Sequence, residues 1–232
     1  MIKNKRVVVV IPARAGSKSV VDKNIKLLAG KPLIAWPIDV AKQSKYVDRV
    51  IVSTDGKKIA ETAEEYGAEV YIRPDHLAQD NSLVIDCLRE LIGRLKSEGE
   101  LATMLVLLEP TSPLRSLEDV DRTIEKLLSY DSAATFCEAE LNPHRAWKVE
   151  GDNVEPFIEG AIPWLPRQKQ PRAYQLNGAV YGFHIDNLPS EGTSILFGDI
   201  AAVTMPQERS IDIDNITHFA IAEEIIKGMS ND

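Results

Sequence analysis

Short apolar runs alternate with amphipathic segments along the first 140 residues, and this alternation limits the folds open to the chain. The run RVVVVIP at 6–12 is continuously apolar, which is typical of a strand covered on both faces. Further runs predict strands over 47–54, 68–74, 103–110 and 133–140. Helical spacing of apolar residues predicts helices over 32–44, 57–67, 82–97 and 116–129. Strands alternating with helices indicate an α/β fold with a mainly parallel sheet.

Proline, glycine and serine residues mark the expected helix ends. Pro32 is expected in the first turn of the first helix, where proline is tolerated, and Pro37 is expected to kink that helix. Gly67 is expected to end the second helix, because glycine adopts the left-handed conformation found there. Ser116, followed three residues later by Asp119, predicts a capping box at the start of the fourth.

The alternation stops near residue 140 and a segment rich in proline and aromatic residues follows. Within it, 147–157 predicts a hairpin that turns at 151–153. The α/β pattern resumes with strands expected over 177–185 and 199–206 and a last helix over 215–228. We therefore interpret residues 1–232 as a single domain, with 142–175 as an arm that protrudes from the sheet.

Charge and composition exclude several classes of protein. The formal net charge is −8, which argues against a nucleic-acid partner. The longest apolar runs fall short of the ~18 residues of a membrane span, and the basic N-terminus lacks a signal-peptide cleavage pattern. Cys87 and Cys137 are far apart and form no C-x-x-C motif, as expected for buried free thiols in a reducing compartment. These features predict a cytoplasmic protein without a membrane partner.

Polar and basic residues follow four of the predicted strands. They are the segment 14–24, the segment 53–55, Arg73 and the segment 109–115. Because ligands of open α/β sheets bind beyond the carboxyl ends of the strands, these segments are expected to converge on one crevice.

The loop after the first strand is basic. Residues 14–31 contain five basic residues and one acid, Asp22, although the chain is acidic overall. The loop has neither the G-x-x-x-x-G-K-[ST] motif of a P-loop nor the G-x-G-x-x-G motif of a dinucleotide site. A solvated surface loop would explain the charge alone. Its place after the first strand favours phosphate binding by Lys, Arg and backbone N–H groups.

Asp212 and Asp214 are separated by one residue near the C-terminus. If this stretch is extended, both carboxylates point to the same side, where they could bind Mg²⁺ and leave its other positions to phosphate oxygens. Two alternatives remain open, which are solvent-facing acids and a role for Asp214 as the cap of the last helix.

Five motifs in order carry a resemblance to a known family. IPARAGSK…KNI, STD, EPTSPLR, PRQ…YQLNGAVY and DIDN together resemble the acylneuraminate cytidylyltransferases, which are CMP-sialic acid synthetases, including legionaminic-acid-type members. The resemblance runs nearly from end to end. It implies a Rossmann-like nucleotidyltransferase fold, and a homodimer in which each arm reaches over the neighbouring subunit. It also implies that CTP and a nine-carbon 2-keto sugar acid give a CMP-sugar and pyrophosphate, with Mg²⁺ as cofactor.

The resemblance assigns roles to individual residues. Those assigned to the nucleotide are Arg14, Ser17, Lys18, Lys23, Asn24, Arg73 and Ser82. Those assigned to the sugar are Glu109, Thr111, Ser112, Arg115, Arg167, Gln168 and Asn177. The metal ligands are Asp212 and Asp214, which with Arg14 and Lys23 form the expected catalytic set. None of the four isolated histidines is expected to be a catalyst, although His144 and Arg145 are candidates for substrate contact.

The sequence departs from the family pattern at three places. Ser19 replaces the usual Gly and Val21 a common Pro, and Glu109 stands where the family usually has Gln. Because that position touches the sugar in the family, N-acetylneuraminate and a modified sialic acid such as N,N'-diacetyllegionaminate both remain candidates. The alternatives are a CMP-Kdo synthetase, a sugar-1-phosphate nucleotidyltransferase and a non-catalytic nucleotide-sugar binding protein.

Overall fold

A computed structural model describes residues 1–16, 19–79 and 81–229. The strands, in chain order, are β1 (Arg6–Pro12), β2 (Leu27–Leu28), β3 (Lys31–Pro32), β4 (Arg49–Thr54), β5 (Glu69–Ile72), β6 (Ala102–Leu107), β7 (Ser132–Glu138), β8 (Trp147–Glu150), β9 (Asn153–Pro156), β10 (Tyr174–His184) and β11 (Ile200–Thr204). The α-helices of the described residues are α1 (Ala35–Gln43), α2 (Lys57–Glu65), α3 (Val84–Ser97), α4 (Leu117–Lys126) and α5 (Ile216–Met229).

Seven strands form the central sheet in the order β11-β7-β10-β6-β1-β4-β5. β1 pairs in parallel with β4 and β6, β4 with β5, and β7 with β11. β10 alone among these strands is antiparallel to its neighbours, β6 and β7. The α/β prediction with a mainly parallel sheet is therefore confirmed.

Helices cover both faces of the sheet and bury β1 completely. Val7, Val9 and Ile11 pack with residues of α1, α2 and α4 on one face. Val8 and Val10 pack on the other face, with residues of α3. All five side chains are at most 1% exposed, because successive side chains of a strand point to opposite faces and helices cover both faces here. This packing confirms the two-sided burial predicted from the unbroken valine run.

Two of the expected helix boundaries are confirmed and one is wrong. Ser116 and Asp119 form the capping box of α4, and Gly67 follows α2 with φ +79°. The first helix begins at Ala35, so Pro32 lies in the short strand β3 and not in a helical turn. Pro37 is the third residue of α1. The N–H groups of the first helical turn have no partner within the helix, so a proline here breaks no hydrogen bond and gives no reason for the expected kink.

The segment 142–175 contains the predicted hairpin. β8 pairs with β9 in an antiparallel ladder with Trp147 opposite Pro156, and the connection is made by Gly151 and Asp152. The ring centroids of Trp147 and Trp164 are 5.8 Å apart, yet Trp164 is 82% exposed. This segment therefore presents large apolar side chains to solvent. Among the described helices none is long and apolar enough to cross a membrane.

Candidate active site

A crevice of about 350 Å³ opens beyond the carboxyl ends of β1, β5 and β6. Three of the four segments predicted to converge contribute to its wall, and the fourth supports Arg73 through Ser53. Its lining residues are Pro12, Arg14, Ser19, Lys23, Asn24, Arg73, Gln79, Ser82, Val84, Cys87, Glu109, Pro110 and Thr111.

The described part of the basic loop is held to the sheet by side chains. Asn24 is buried, and its Nδ2 donates to the carbonyl of Arg14 at 3.0 Å. The backbone N–H of Ala15 donates to Asp55 Oδ1 at 2.9 Å. These two contacts fix the path of the loop over the carboxyl end of β1. The assigned nucleotide ligands Ser17 and Lys18 lie outside the described residues, and a nucleotide contact by Asn24 stays a prediction.

Lys23 joins this loop to the pair of aspartates. Its Nζ donates to the carbonyl of Ile213 at 3.0 Å, across 190 positions of sequence. Ile213 is fully buried, whereas its neighbours Asp212 and Asp214 are exposed on the opposite side of the chain. Partial burial raises the pKa of Asp212, and repulsion from Asp214 raises it further. An exposed, a buried and an exposed residue in succession is the pattern of an extended stretch, and metal binding by the two carboxylates stays a prediction.

The donor set around these aspartates fits Mg²⁺. Two carboxylates supply hard oxygen ligands, and the residue between them is held by the backbone, since the N–H of Ile213 donates to the carbonyl of Thr111 at 2.8 Å. Within the described ranges no group of three or more His, Cys, Asp or Glu residues surrounds a metal position. A pair of carboxylates suits Mg²⁺, because this ion usually retains water or phosphate oxygens at its other positions.

The start of α5 excludes one alternative for Asp214 and adds a residue to the site. The cap is Asn215, whose Oδ1 accepts from the N–H of His218 at 3.0 Å. His218 Nδ1 lies 2.8 Å from the carbonyl of Asp212 and donates to it in the tautomer that protonates this nitrogen. His218 is one of the four histidines that are isolated in the sequence. Its position four residues after Asp214, at the start of a helix, was the signal that could have placed it here.

Arg73 and Ser82 lie in the wall predicted to hold the cytidine. Arg73 is 7% exposed, and its Nη2 donates to the carbonyl of Ser53 at 3.0 Å. Ser82 Oγ donates to the carbonyl of His76 at 3.3 Å and accepts from the N–H of Gln79 at 3.1 Å. Both side chains are thus held by protein contacts that orient them, and their contact with the base stays a prediction.

Glu109 lies in the crevice wall, and the buried Arg115 contacts its backbone carbonyl. Arg115 is 5% exposed, and its guanidinium donates to the carbonyl oxygens of Ala179, at 2.8 Å, and of Glu109. Burial raises the pKa of Glu109 to about 7 and lowers that of Arg115 to about 9. The raised pKa favours the protonated carboxyl, which can donate as well as accept a hydrogen bond.

Ser112 and Asn177 are buried next to the crevice wall. Ser112 Oγ donates to the carbonyl of Asn177 at 3.3 Å. Asn177 Nδ2 donates to Ser210 Oγ at 2.9 Å, and its Oδ1 accepts from Thr135 Oγ1 at 2.7 Å. These contacts tie β10 to β7 and to the segment before Asp212. A direct sugar contact by either residue stays a prediction.

Arg167 and Gln168 lie in a different part of the molecule. Both are exposed, and Arg167 Nη2 is 4.0 Å from Glu138 Oε1. Arg167 lines a separate groove of about 270 Å³ with Arg145 and Arg172. The described residues therefore do not bring the assigned arm residues into the crevice of the same chain.

The comparisons with known proteins agree with this geometry. Residues 8–199 match the cytidylyltransferase family. The chain is 34% identical to the CMP-N,N'-diacetyllegionaminic acid synthase of Legionella pneumophila, over 96% of this chain and 97% of that protein. It is 31% identical to the N-acylneuraminate cytidylyltransferase of Streptococcus agalactiae, over 90% of this chain and 51% of that protein.

A solved structure supports the fold. CMP:2-keto-3-deoxy-manno-octonic acid synthetase in complex with CTP superposes with a TM-score of 0.72 over 97% of this chain and 100% of that chain, at 17% identity. The central sheet therefore has the nucleotidyltransferase architecture expected from the motifs. With 192 consecutive positions matched and full-length relatives above 30% identity, the chain belongs to the cytidylyltransferase family.

Proposed function

We propose that this chain transfers the cytidylyl group of CTP to the anomeric hydroxyl of a sialic-acid-type 2-keto sugar acid and releases pyrophosphate. The observation that carries the proposal is the convergence of Arg14, Lys23 and Asp212 with Asp214 at one edge of the sheet. Full-length relatives named as CMP-N,N'-diacetyllegionaminic acid synthases support this substrate class.

The chemistry asks the protein mainly to position groups and to neutralise charge. The sugar hydroxyl attacks the α-phosphorus while the bond to pyrophosphate breaks. Arg14 and Lys23 supply cations on the side where the triphosphate would lie. Asp212 and Asp214 would hold Mg²⁺, which would supply positive charge to the transferring phosphoryl group and lower the pKa of the attacking hydroxyl. Thr111 and His218 fix the acidic stretch, since the carbonyl of Thr111 accepts from the N–H of Ile213 and His218 Nδ1 contacts the carbonyl of Asp212.

Pyrophosphate release tests the proposal and its alternatives. We expect release from CTP with Mg²⁺ only when a nine-carbon 2-keto sugar acid is present. The panel should contain four nucleoside triphosphates, N-acetylneuraminate, N,N'-diacetyllegionaminate, the eight-carbon acid Kdo and a sugar 1-phosphate. Preference for Kdo would favour the alternative suggested by the solved relative, and equal turnover with ATP or a sugar 1-phosphate would contradict the proposal. Nucleotide binding without turnover on any sugar would favour a non-catalytic protein.

Glu109 is proposed to select among the sugars. It lines the crevice beside the cations Arg73 and Lys23, and Asp212 is near enough to raise its pKa. Its carboxyl therefore suits hydroxyl or acylamino substituents better than the carboxylate of the sugar.

We expect Glu109→Gln to change the ranking of nonulosonic acids. Loss of a charge-assisted hydrogen bond costs about 1.5–3 kcal/mol, which lowers kcat/KM for the best sugar roughly ten- to a hundred-fold. The measurement is kcat/KM for each sugar, with the KM for CTP as the internal control because the nucleotide contacts are unchanged. Unchanged kcat/KM values for every sugar would show that Glu109 does not discriminate among the sugars.

A homodimer with shared sites is proposed from the arm. Large apolar residues of this segment are open to solvent, among them Trp164, Phe157 and Ile162, and aromatic residues commonly anchor interfaces. Arg167 lies on the same segment and outside the crevice of its own chain. An arm that reaches a partner would explain both observations. The proposed setting is the cytoplasm, since Cys87 and Cys137 are buried free thiols.

A further inference from the structure

An ion pair outside the crevice lies beside the segment that carries the two aspartates. Arg209 Nη1 donates to Asp119 Oδ2, and Nη2 donates to Oδ1 at 3.3 Å. The side chain of Asp119 is 3% exposed and that of Arg209 is 22% exposed. A two-pronged contact between a guanidinium and a carboxylate fixes orientation as well as distance. Neither residue lines the crevice, and the proposed chemistry does not use them.

Asp119 is a rigid point of attachment. Its Oδ2 also accepts from the N–H and the hydroxyl of Ser116, both at 2.8 Å, as part of the capping box of α4. The carboxylate is therefore held by the first turn of a helix that packs against the sheet. A group that contacts it cannot shift without breaking charged hydrogen bonds in a buried place.

Arg209 is three residues before Asp212 and directly precedes a segment whose position depends on side-chain and backbone contacts. Residues 210–214 belong to neither a helix nor a strand. Their position depends on separate contacts, which are Asn177 Nδ2 to Ser210 Oγ at 2.9 Å, Ile213 N to the carbonyl of Thr111 at 2.8 Å and Lys23 Nζ to the carbonyl of Ile213 at 3.0 Å. Among these anchors the ion pair is the one formed by two charged side chains.

We propose that the Asp119–Arg209 pair positions Asp212 and Asp214 and so sets how strongly Mg²⁺ increases the affinity of the protein for CTP. The inference rests on the proposed function, since it needs a metal–nucleotide complex at the aspartates. Arg209 is a positioning residue in this proposal, because it acts through the chain that it anchors. Loss of contacts that orient metal ligands typically lowers metal affinity about 10–100-fold.

The test measures CTP affinity by calorimetry, with saturating Mg²⁺ and with EDTA, for the wild-type protein and for Arg209→Gln. No sugar acid is present, so no turnover occurs. The ratio of interest is the CTP affinity with Mg²⁺ divided by the CTP affinity in EDTA. We expect Arg209→Gln to lower this ratio about tenfold. The affinity in EDTA should stay unchanged, because the variant leaves the basic loop intact. A general loss of structure would lower both affinities together, so the ratio separates positioning from folding.

Two further variants make the result decisive. Arg49→Gln is the matched control, because Arg49 also pairs with a buried carboxylate, that of Glu100, but lies at the opposite end of the sheet. It should leave the ratio unchanged. Arg209→Lys keeps the positive charge but cannot form the bidentate contact, so it should give an intermediate ratio. If Arg209→Gln does not fold, Arg209→Lys takes its place in the test.

The outcomes separate this inference from the proposed function. A wild-type ratio well above one that persists in Arg209→Gln and Arg209→Lys would overturn the positioning role alone. A wild-type ratio near one would overturn both the metal assignment and the inference. An equal loss in Arg49→Gln and Arg209→Gln would also overturn it, since any lost ion pair would then have the same effect.

Discussion

Replacement of Asp212 or Asp214 by asparagine is expected to reduce the rate of CMP-sugar formation about 10²-fold or more. Each change removes one charge from the proposed Mg²⁺ site with little change in volume, and a metal stabilises a transferring phosphoryl group by several kcal/mol. Folding should survive, because both side chains are exposed and the residue that anchors this stretch in the core is Ile213. The measurement is kcat at saturating CTP and sugar over a titration of Mg²⁺.

A matched control removes the same charge elsewhere. Asp186→Asn breaks an exposed pair with Lys96 and should leave kcat within twofold, since exposed ion pairs contribute only about 0–1 kcal/mol. Thermal unfolding of all three variants shows whether folding is intact. If either active-site variant retained nearly full activity at saturating Mg²⁺, that aspartate would not be a metal ligand.

The strands and most helix positions followed from the sequence because their signals are local. The valine run of β1, the capping box at Ser116 and the hairpin at 147–157 each depend on neighbouring residues. The start of α1 did not follow. Ala29 and Gly30 both adopt positive φ and turn β2 back onto β3, and Leu28 and Leu33 are buried against α5. This packing on a distant helix overrides the local helical pattern.

The antiparallel direction of β10 could not be predicted from the sequence either. An apolar run indicates a buried strand but carries no mark of its direction. Adjacent antiparallel strands need no crossover over the face of the sheet, so the segment between β7 and β10 is free to form the hairpin of β8 and β9 in place of a packed helix.

The charged residues of the site could be predicted from sequence motifs. The contacts that join segments far apart in the sequence could not. The acidic pair and the basic loop are visible in sequence, whereas the hydrogen bond from Lys23 to Ile213 spans 190 positions. The same holds for Arg209 with Asp119, 90 positions apart. Burial and the distant Asp212 raise the pKa of Glu109 while Arg115 and Arg73 lower it, so no local pattern could reveal the result.

Two chains that carry different inactivating substitutions are expected to recover activity when they form a heterodimer. Lys23→Ala removes a cation from the crevice, and Arg167→Ala removes the arm cation proposed to act at the partner's site. Each variant should be nearly inactive as a homodimer. Co-expression with two affinity tags isolates the heterodimer of the two variants. If arms are exchanged, one of its two sites combines wild-type Lys23 with wild-type Arg167, so about half of the wild-type activity returns.

A second heterodimer makes the opposite prediction and serves as the control. Here one chain carries both Lys23→Ala and Arg167→Ala, and its partner is wild type. With exchanged arms, each site then contains one lesion, so this heterodimer should be nearly inactive. If each chain builds its own site, the wild-type chain keeps its activity and the first heterodimer is the inactive one. Reversal of the two activities, or a fully active monomer in sedimentation, would therefore contradict shared sites and leave the proposed reaction untouched.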